Sequence, residues 1–147
     1  MYTGLLHTHS LLRYFVLFML VFVVISSLVK WSLRKPYGSL DNRASLYLLI
    51  FTHLQLLAGL VLYFSSPLVQ LHSGTMKDKI LRYWAVEHLT LMLAAIALIT
   101  IGRITLKKLT DDRLKHQRTW LYNGLALLLV VLAISMSGRG ILHPNLF

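Results

Sequence analysis

Long apolar stretches separated by short charged segments dominate the pattern of this chain. A helix rises about 1.5 Å per residue, so roughly 20 apolar residues cross a hydrocarbon core of about 30 Å. The pattern predicts four such helices, at about residues 9–31, 44–66, 82–105 and 118–138. They lack the polar faces that helices of a soluble bundle need. We therefore expect residues 1–147 to form a single all-α domain, a membrane-spanning up-down four-helix bundle.

Composition supports a membrane protein and excludes several kinds of chemistry. Hydrophobic residues make up 56% of the chain and charged residues 14%, whereas soluble domains carry roughly a quarter charged residues. The chain has no cysteine. Disulfides, cysteine-ligated zinc, cysteine-held iron–sulfur clusters and covalent c-type haem are therefore excluded.

The basic residues are divided unequally between the two ends of the predicted bundle. Ten lie in or beside the first and third loops, and five lie at the other end. By the positive-inside rule we expect the first and third loops in the cytoplasm and both termini outside. This topology accounts for the net charge of +10, so we expect the lipid bilayer as a partner and no nucleic acid. The ten are Lys30, Arg34, Lys35, Arg43, Arg103, Lys107, Lys108, Arg113, Lys115 and Arg118.

Histidines are the most informative polar residues, because ionisable groups inside a bilayer are expensive and mark functional sites. His7 and His9 lie at the mouth of the first predicted helix, His53 in the middle of the second and His88 in the third. The others fall in predicted loops or the C-terminal tail, where we expect them to be solvated. They are His72, His116 and His143.

Imidazoles in an apolar helical bundle without cysteine suit the binding of haem b. Two facing helices would each supply one axial ligand to the iron, and we expect His88 to be one and either His9 or His53 to be the other. The haem propionates need cations near the membrane surface. Three arginines at the outer ends of the predicted helices are candidates: Arg13, Arg82 and Arg139.

The same residues also have a structural interpretation. A histidine within a span can act as a hydrogen-bonding link between helices, for example to Gln55 or Asn123. Glu87, next to His88, either pairs with Arg82 or Arg13, or orients a ligand and relays a proton.

Four segments resemble short bacterial four-helix membrane proteins labelled cytochrome b-like. They are residues 4–14 (GLLHTHSLLRY), 52–59 (THLQLLAG), 82–88 (RYWAVEH) and 98–103 (LITIGR). A looser similarity, which includes residues 118–123 (RTWLYN), is to four-helix membrane protoporphyrinogen oxidases and copper-resistance-D-like proteins. The looser resemblance implies that His9 and His88 hold haem b, and it offers no counterpart for His53.

We therefore expect a haem-binding membrane protein that takes part in electron transfer with other membrane proteins or quinone. One alternative is a non-catalytic accessory subunit of a larger membrane complex, whose histidines serve packing or quinone contact. Another is a haem-dependent protoporphyrinogen oxidase. The sequence alone does not choose between a catalytic protein and a subunit.

Overall fold

Four long helices make up the regular structure of residues 2–137, the part of the chain that the computed structural model describes. Helix α1 spans Tyr2–Ser32, α2 spans Ser39–Ser65, α3 spans Lys79–Leu106 and α4 spans Asp112–Met136. Each helix contains an apolar window long enough to cross a membrane. The chain is therefore a multi-pass, all-α membrane protein, as the sequence predicts.

The helices extend beyond the predicted spans at several ends. Helix α1 begins at Tyr2 rather than near residue 9, so His9 lies within the helix and not at its mouth. Helix α4 begins at Asp112 because the Asp111 carboxylate accepts hydrogen bonds from the backbone N–H groups of Arg113 (2.7 Å) and Leu114 (3.2 Å). Such a cap satisfies donors that the first helical turn leaves free.

Side-chain contacts at one end of the bundle show that neighbouring helices run antiparallel. The Tyr63 hydroxyl of α2 donates to the Ala85 carbonyl of α3 at 2.8 Å. The Tyr83 hydroxyl of α3 donates to the Ala133 carbonyl of α4 at 2.7 Å. We call this end the histidine end, defined by His9, Arg13, Arg82 and His88.

The opposite end is held by charged and aromatic contacts. Lys30 Nζ of α1 lies 2.6 Å from Asp41 Oδ1 of α2, and Arg103 Nη1 of α3 donates to Asn42 Oδ1 of α2 at 2.6 Å. The Trp31 and Trp120 rings of α1 and α4 have centroids 5.6 Å apart. We call this the basic end, defined by Lys30, Arg103, Lys107 and Lys115.

All four helices contribute to a small core midway along the bundle. Its members are fully or almost fully buried, whereas many large apolar side chains point outward: Phe18 is 70% exposed and Leu128 66% exposed. An outward apolar surface of this kind is what a lipid-facing bundle presents. The core is formed by Leu20, Val23, Leu48, Ala95, Ile99 and Ala126.

The helices do not pack equally closely around the bundle. Helix α1 packs along α2 and α4, and α4 packs along α3, whereas α2 and α3 contact each other sparsely. Helices α1 and α3 therefore lie diagonally across the bundle. Gly102 of α3 allows the closest approach to α4, since a Cβ added there would lie 2.7 Å from Tyr122 Cβ.

Candidate functional site

A π-helical turn over Tyr83–Glu87 interrupts α3 immediately before His88. The backbone N–H of His88 bonds to the Tyr83 carbonyl, five residues back, so that residues five apart are stacked along the helix. This wider turn places Tyr83 beside His88 and Arg82 beside Glu87. This turn has no signal in the sequence, because the segment contains neither glycine nor proline.

His88 is held by aromatic residues of this turn. Its ring centroid lies 5.4 Å from that of Trp84 and 5.8 Å from that of Tyr83. The Tyr83 hydroxyl lies 3.4 Å from His88 Nδ1 and donates its proton to the Ala133 carbonyl. Because a hydroxyl has one proton, we assign the proton of this long contact to His88 Nδ1. Nε2 of His88 then carries the lone pair that a metal would use.

His9 of α1 packs against one face of α2. A Cβ added at Gly59 would lie 3.2 Å from His9 Cε1, so the absence of a side chain at Gly59 makes room for the imidazole. Gln55, one turn before Gly59, donates from Nε2 to the His9 backbone carbonyl at 3.1 Å. The same Nε2 lies 3.3 Å from His9 Nε2, which we assign as the acceptor.

The histidines of α1 and α3 lie at the same end of the bundle. His9 contacts Gln55 in the second half of α2, and the Tyr83 hydroxyl beside His88 donates to the Ala133 carbonyl near the end of α4. Arg13 is one helical turn beyond His9 on the same face of α1. The structure thus gathers His9, Arg13 and His88 at one end of the bundle, on diagonally opposite helices.

His53 lies on a different side of α2. It is two residues before Gln55, a rotation of about 200° around a helix with 3.6 residues per turn. Since Gln55 and Gly59 face His9, the His53 side chain points away from that histidine. Its Nδ1 donates to the Leu49 carbonyl of its own helix at 2.8 Å, so the hydrogen bond of this nitrogen does not link α2 to another helix.

The three arginines predicted to bind propionates have different surroundings. Arg82 Nε donates to Glu87 Oε1 at 2.7 Å, which is the pairing interpretation of Glu87. Arg13 lies over the Tyr14 ring, 4.8 Å from its centroid, and contacts no carboxylate there. Arg139 lies outside the described residues, and so does His143. Of the two described arginines, Arg13 therefore has the less compensated charge.

Several polar atoms around the two histidines are buried and have no hydrogen-bond partner among residues 2–137. They are His9 Nδ1, Arg13 Nη2 and Gln55 Oε1. A buried polar atom left unpaired is costly, and more so where lipid replaces water. By the assignment above, His9 Nδ1 carries the proton and the lone pair of His9 Nε2 faces Gln55, so His9 would ligate a metal only after Gln55 moved away from Nε2. The unpaired Arg13 Nη2 is ready to bind a carboxylate such as a haem propionate. Arg13 therefore fits the predicted cofactor as it stands, and His9 fits it once Gln55 has moved.

The described residues do not fit a metal ion held by protein side chains alone. Within residues 2–137 no three His, Asp or Glu side chains converge on one point. The five carboxylates, all of which lie in this range, contact a basic side chain or a backbone N–H. A haem iron needs only two protein ligands, because the porphyrin supplies the other four. The carboxylates are Asp41, Asp78, Glu87, Asp111 and Asp112.

His116 is a second buried histidine, which the sequence analysis assigned wrongly to a solvated loop. Its exposure is 0%, because α4 begins at Asp112 and carries it into the bundle at the basic end. Its Nε2 lies 3.4 Å from the Pro36 carbonyl, and its ring centroid lies 5.0 Å from that of Tyr37. The Asp111 cap was the sequence signal that could have placed it on a helix.

Comparisons with known proteins do not extend this description. No protein-family model, curated protein or solved structure matches the chain. The resemblance to cytochrome b-like proteins therefore stays a prediction, and the function has to be argued from the residues themselves.

Proposed function

We propose that the chain is a b-type haem-binding protein of the bacterial inner membrane that takes part in electron transfer, with His9 and His88 as axial ligands. The observation that carries this proposal is that His9 and His88 lie at the same end of the bundle, on diagonally opposite helices. His53, the other candidate ligand, lies on a different side of α2 from Gln55 and Gly59, which face His9.

Arg13 supports the same assignment through its charge. It lies one helical turn from His9, at the end of the bundle that holds His88, and its Nη2 is buried with no partner in the described part of the chain. Buried guanidinium groups are strong, often bidentate partners for carboxylates, and haem carries two propionates. Arg82 has its charge balanced by Glu87, so we assign it a smaller part in holding the cofactor.

Haem b supplies one-electron redox chemistry when bound. The residues of the chain would then position and shield it. Tyr83 fixes the ring orientation of His88, Gly59 leaves room for His9, and the apolar helices exclude water. The chain has no soluble redox domain within residues 2–137, so electrons would pass to and from other membrane proteins or a quinone. The ten basic residues support the assignment of both termini to the outside.

The test is an absorption spectrum of the purified, full-length protein before and after reduction, with single histidine variants. His88→Ala and His9→Ala should each abolish a low-spin bis-histidine spectrum, because each removes an axial ligand. His53→Ala is the matched control: it removes an imidazole from the same bundle and should leave the spectrum unchanged.

Other spectra would support other functions. A preparation that stays colourless when supplied with haem would contradict the proposal and favour an accessory subunit. That alternative rests on the two Gln55 contacts to His9, which are typical of a packing link between helices. Oxidation of protoporphyrinogen by the haem-loaded protein would favour the oxidase instead.

A further inference from the structure

We propose that a cavity at the basic end binds the phosphate group of an anionic phospholipid headgroup. The cavity has a volume of about 380 Å³ and lies where the start of α2, the end of α3 and the start of α4 meet. Arg103, Lys107 and Lys115 line it, together with Tyr37, Ser39 and Asn42. None of its lining residues is acidic. Basic pockets between membrane helices are typical binding sites for such headgroups.

The positive charge of the cavity is only partly compensated. Arg103 bonds to the neutral amide of Asn42. Lys115 has Asp112 at 3.6 Å, and that carboxylate is 45% exposed, so water screens the pair. Asp41 precedes Asn42 in sequence, but its carboxylate is bound to a lysine of α1 at 2.6 Å. The cavity therefore keeps a net positive charge that a phosphate group would balance.

Several of the groups are already oriented. The hydrogen bond from Arg103 to Asn42 fixes the guanidinium at the cavity wall. Lys115 Nζ lies 5.8 Å from the centroid of the Tyr37 ring. Burial raises the pKa of Tyr37, so the phenol stays neutral and adds no negative charge. The start of α2 is itself capped, since Asp41 Oδ2 accepts from the Gly38 N–H at 3.0 Å, so the positive charge of the cavity comes from its three basic side chains.

The position of the cavity favours a lipid as the source of the phosphate. It lies at the helix ends, at the same end of the bundle as Trp31 and Trp120, and such aromatic residues are enriched at membrane interfaces. Exposed apolar side chains adjoin its lining residues along the chain. Leu40 follows Ser39 and is 74% exposed, and Ile104 follows Arg103 and is 51% exposed. A headgroup in the cavity would leave its acyl chains beside this apolar surface.

Native mass spectrometry of the full chain in detergent, titrated with phosphatidylglycerol or phosphatidylcholine, tests the proposal. The triple variant R103Q/K107Q/K115Q should lose its preference for phosphatidylglycerol, with a decrease in affinity of about fivefold per cation. The control R43Q/K108Q/R118Q removes the same charge from the same end but leaves the cavity lining intact. Its affinity should stay within about twofold of wild type.

Two further measurements, on K107Q alone and on inorganic phosphate, make the test decisive. Lys107 is exposed, so K107Q alone should fold normally and still lose about fivefold in affinity. Equal losses in the two triple variants would overturn the proposal, because general surface charge would then explain the binding. It would also be overturned if inorganic phosphate bound in a cavity-dependent way while phosphatidylglycerol did not, since the ligand would then be a soluble anion. None of these readouts depends on haem.

Discussion

Gly102 and Gly124 provide a paired test of how closely α3 and α4 pack. Both are glycines within long helices, but their surroundings differ. A Cβ at Gly102 would lie 2.7 Å from Tyr122 Cβ, whereas the nearest atom to a Cβ at Gly124 is Val24 Cγ1 at 4.0 Å. We predict that Gly102→Ala destabilises the protein relative to Gly124→Ala.

The expected difference in unfolding free energy follows from a gain that both variants share and a cost that falls on Gly102→Ala. Alanine is favoured over glycine within a helix by about 1 kcal/mol, and this gain is common to both variants. Carbon atoms in contact normally lie about 3.5–4.0 Å apart, so the new methyl at Gly102 overlaps Tyr122 by roughly 1 Å. The Tyr122 Cβ is fixed to its backbone, so the helices themselves must move apart. Overpacking of this kind costs about 1–3 kcal/mol, which is the expected difference between the two variants.

The assay is thermal unfolding in detergent, followed by far-ultraviolet circular dichroism at one fixed scan rate. For a chain of this length, the predicted difference corresponds to about 3–9 °C between the two variants, with Gly102→Ala lower. Equal melting temperatures, or a higher one for Gly102→Ala, would refute the close approach of α3 and α4 at Gly102.

Three other predictions concern topology and the histidine end. In this cysteine-free chain, Ser73→Cys should react with an impermeant reagent in intact cells and Thr110→Cys should not; the reverse pattern would contradict the orientation. Arg13→Gln should weaken haem retention by about ten- to a hundredfold, and Arg82→Gln should weaken it by less, because within residues 2–137 Glu87 already pairs with Arg82 and no carboxylate pairs with Arg13. Equal haem retention in Arg13→Gln and wild type would show that Arg13 has only a structural role. Gln55→Leu should keep haem retention at or above the wild-type level, because Gln55 occupies His9 Nε2 in the structure; loss of haem in this variant would show that Gln55 supports the site.

The fold could be predicted because its main signal is length and hydrophobicity, which need no knowledge of neighbours. Helix ends were less predictable, since they depend on capping side chains. Asp111 begins α4 six residues before the predicted span, and this brings His116 into the bundle. A count of apolar residues does not contain that information.

The sequence indicates which residues belong to the candidate site, but it does not indicate which of the histidines lie together. The depth of each histidine in the membrane, counted along the helices, is compatible with either His9 or His53 as the partner of His88. The choice depends on rotation around α2, which the positions of Gln55 and Gly59 against His9 determine. The π-helical turn before His88 was also beyond prediction, because residues 83–87 contain no recognisable breaker.

The two ends of the bundle meet different physical requirements. In lipid, helices gain little from the hydrophobic effect, so their association depends on close packing and on satisfied polar groups. The basic end has paired charges at Lys30 and Asp41 and close packing at Gly102, and it also holds buried polar atoms without a partner among the described residues, such as His116 Nδ1 and Trp120 Nε1. At the histidine end the corresponding atoms within residues 2–137 belong to His9, Arg13 and Gln55. Unused bonding capacity is thus present at both ends, and at the histidine end it includes a guanidinium beside two histidines, the combination that a group bearing carboxylates and a metal would use.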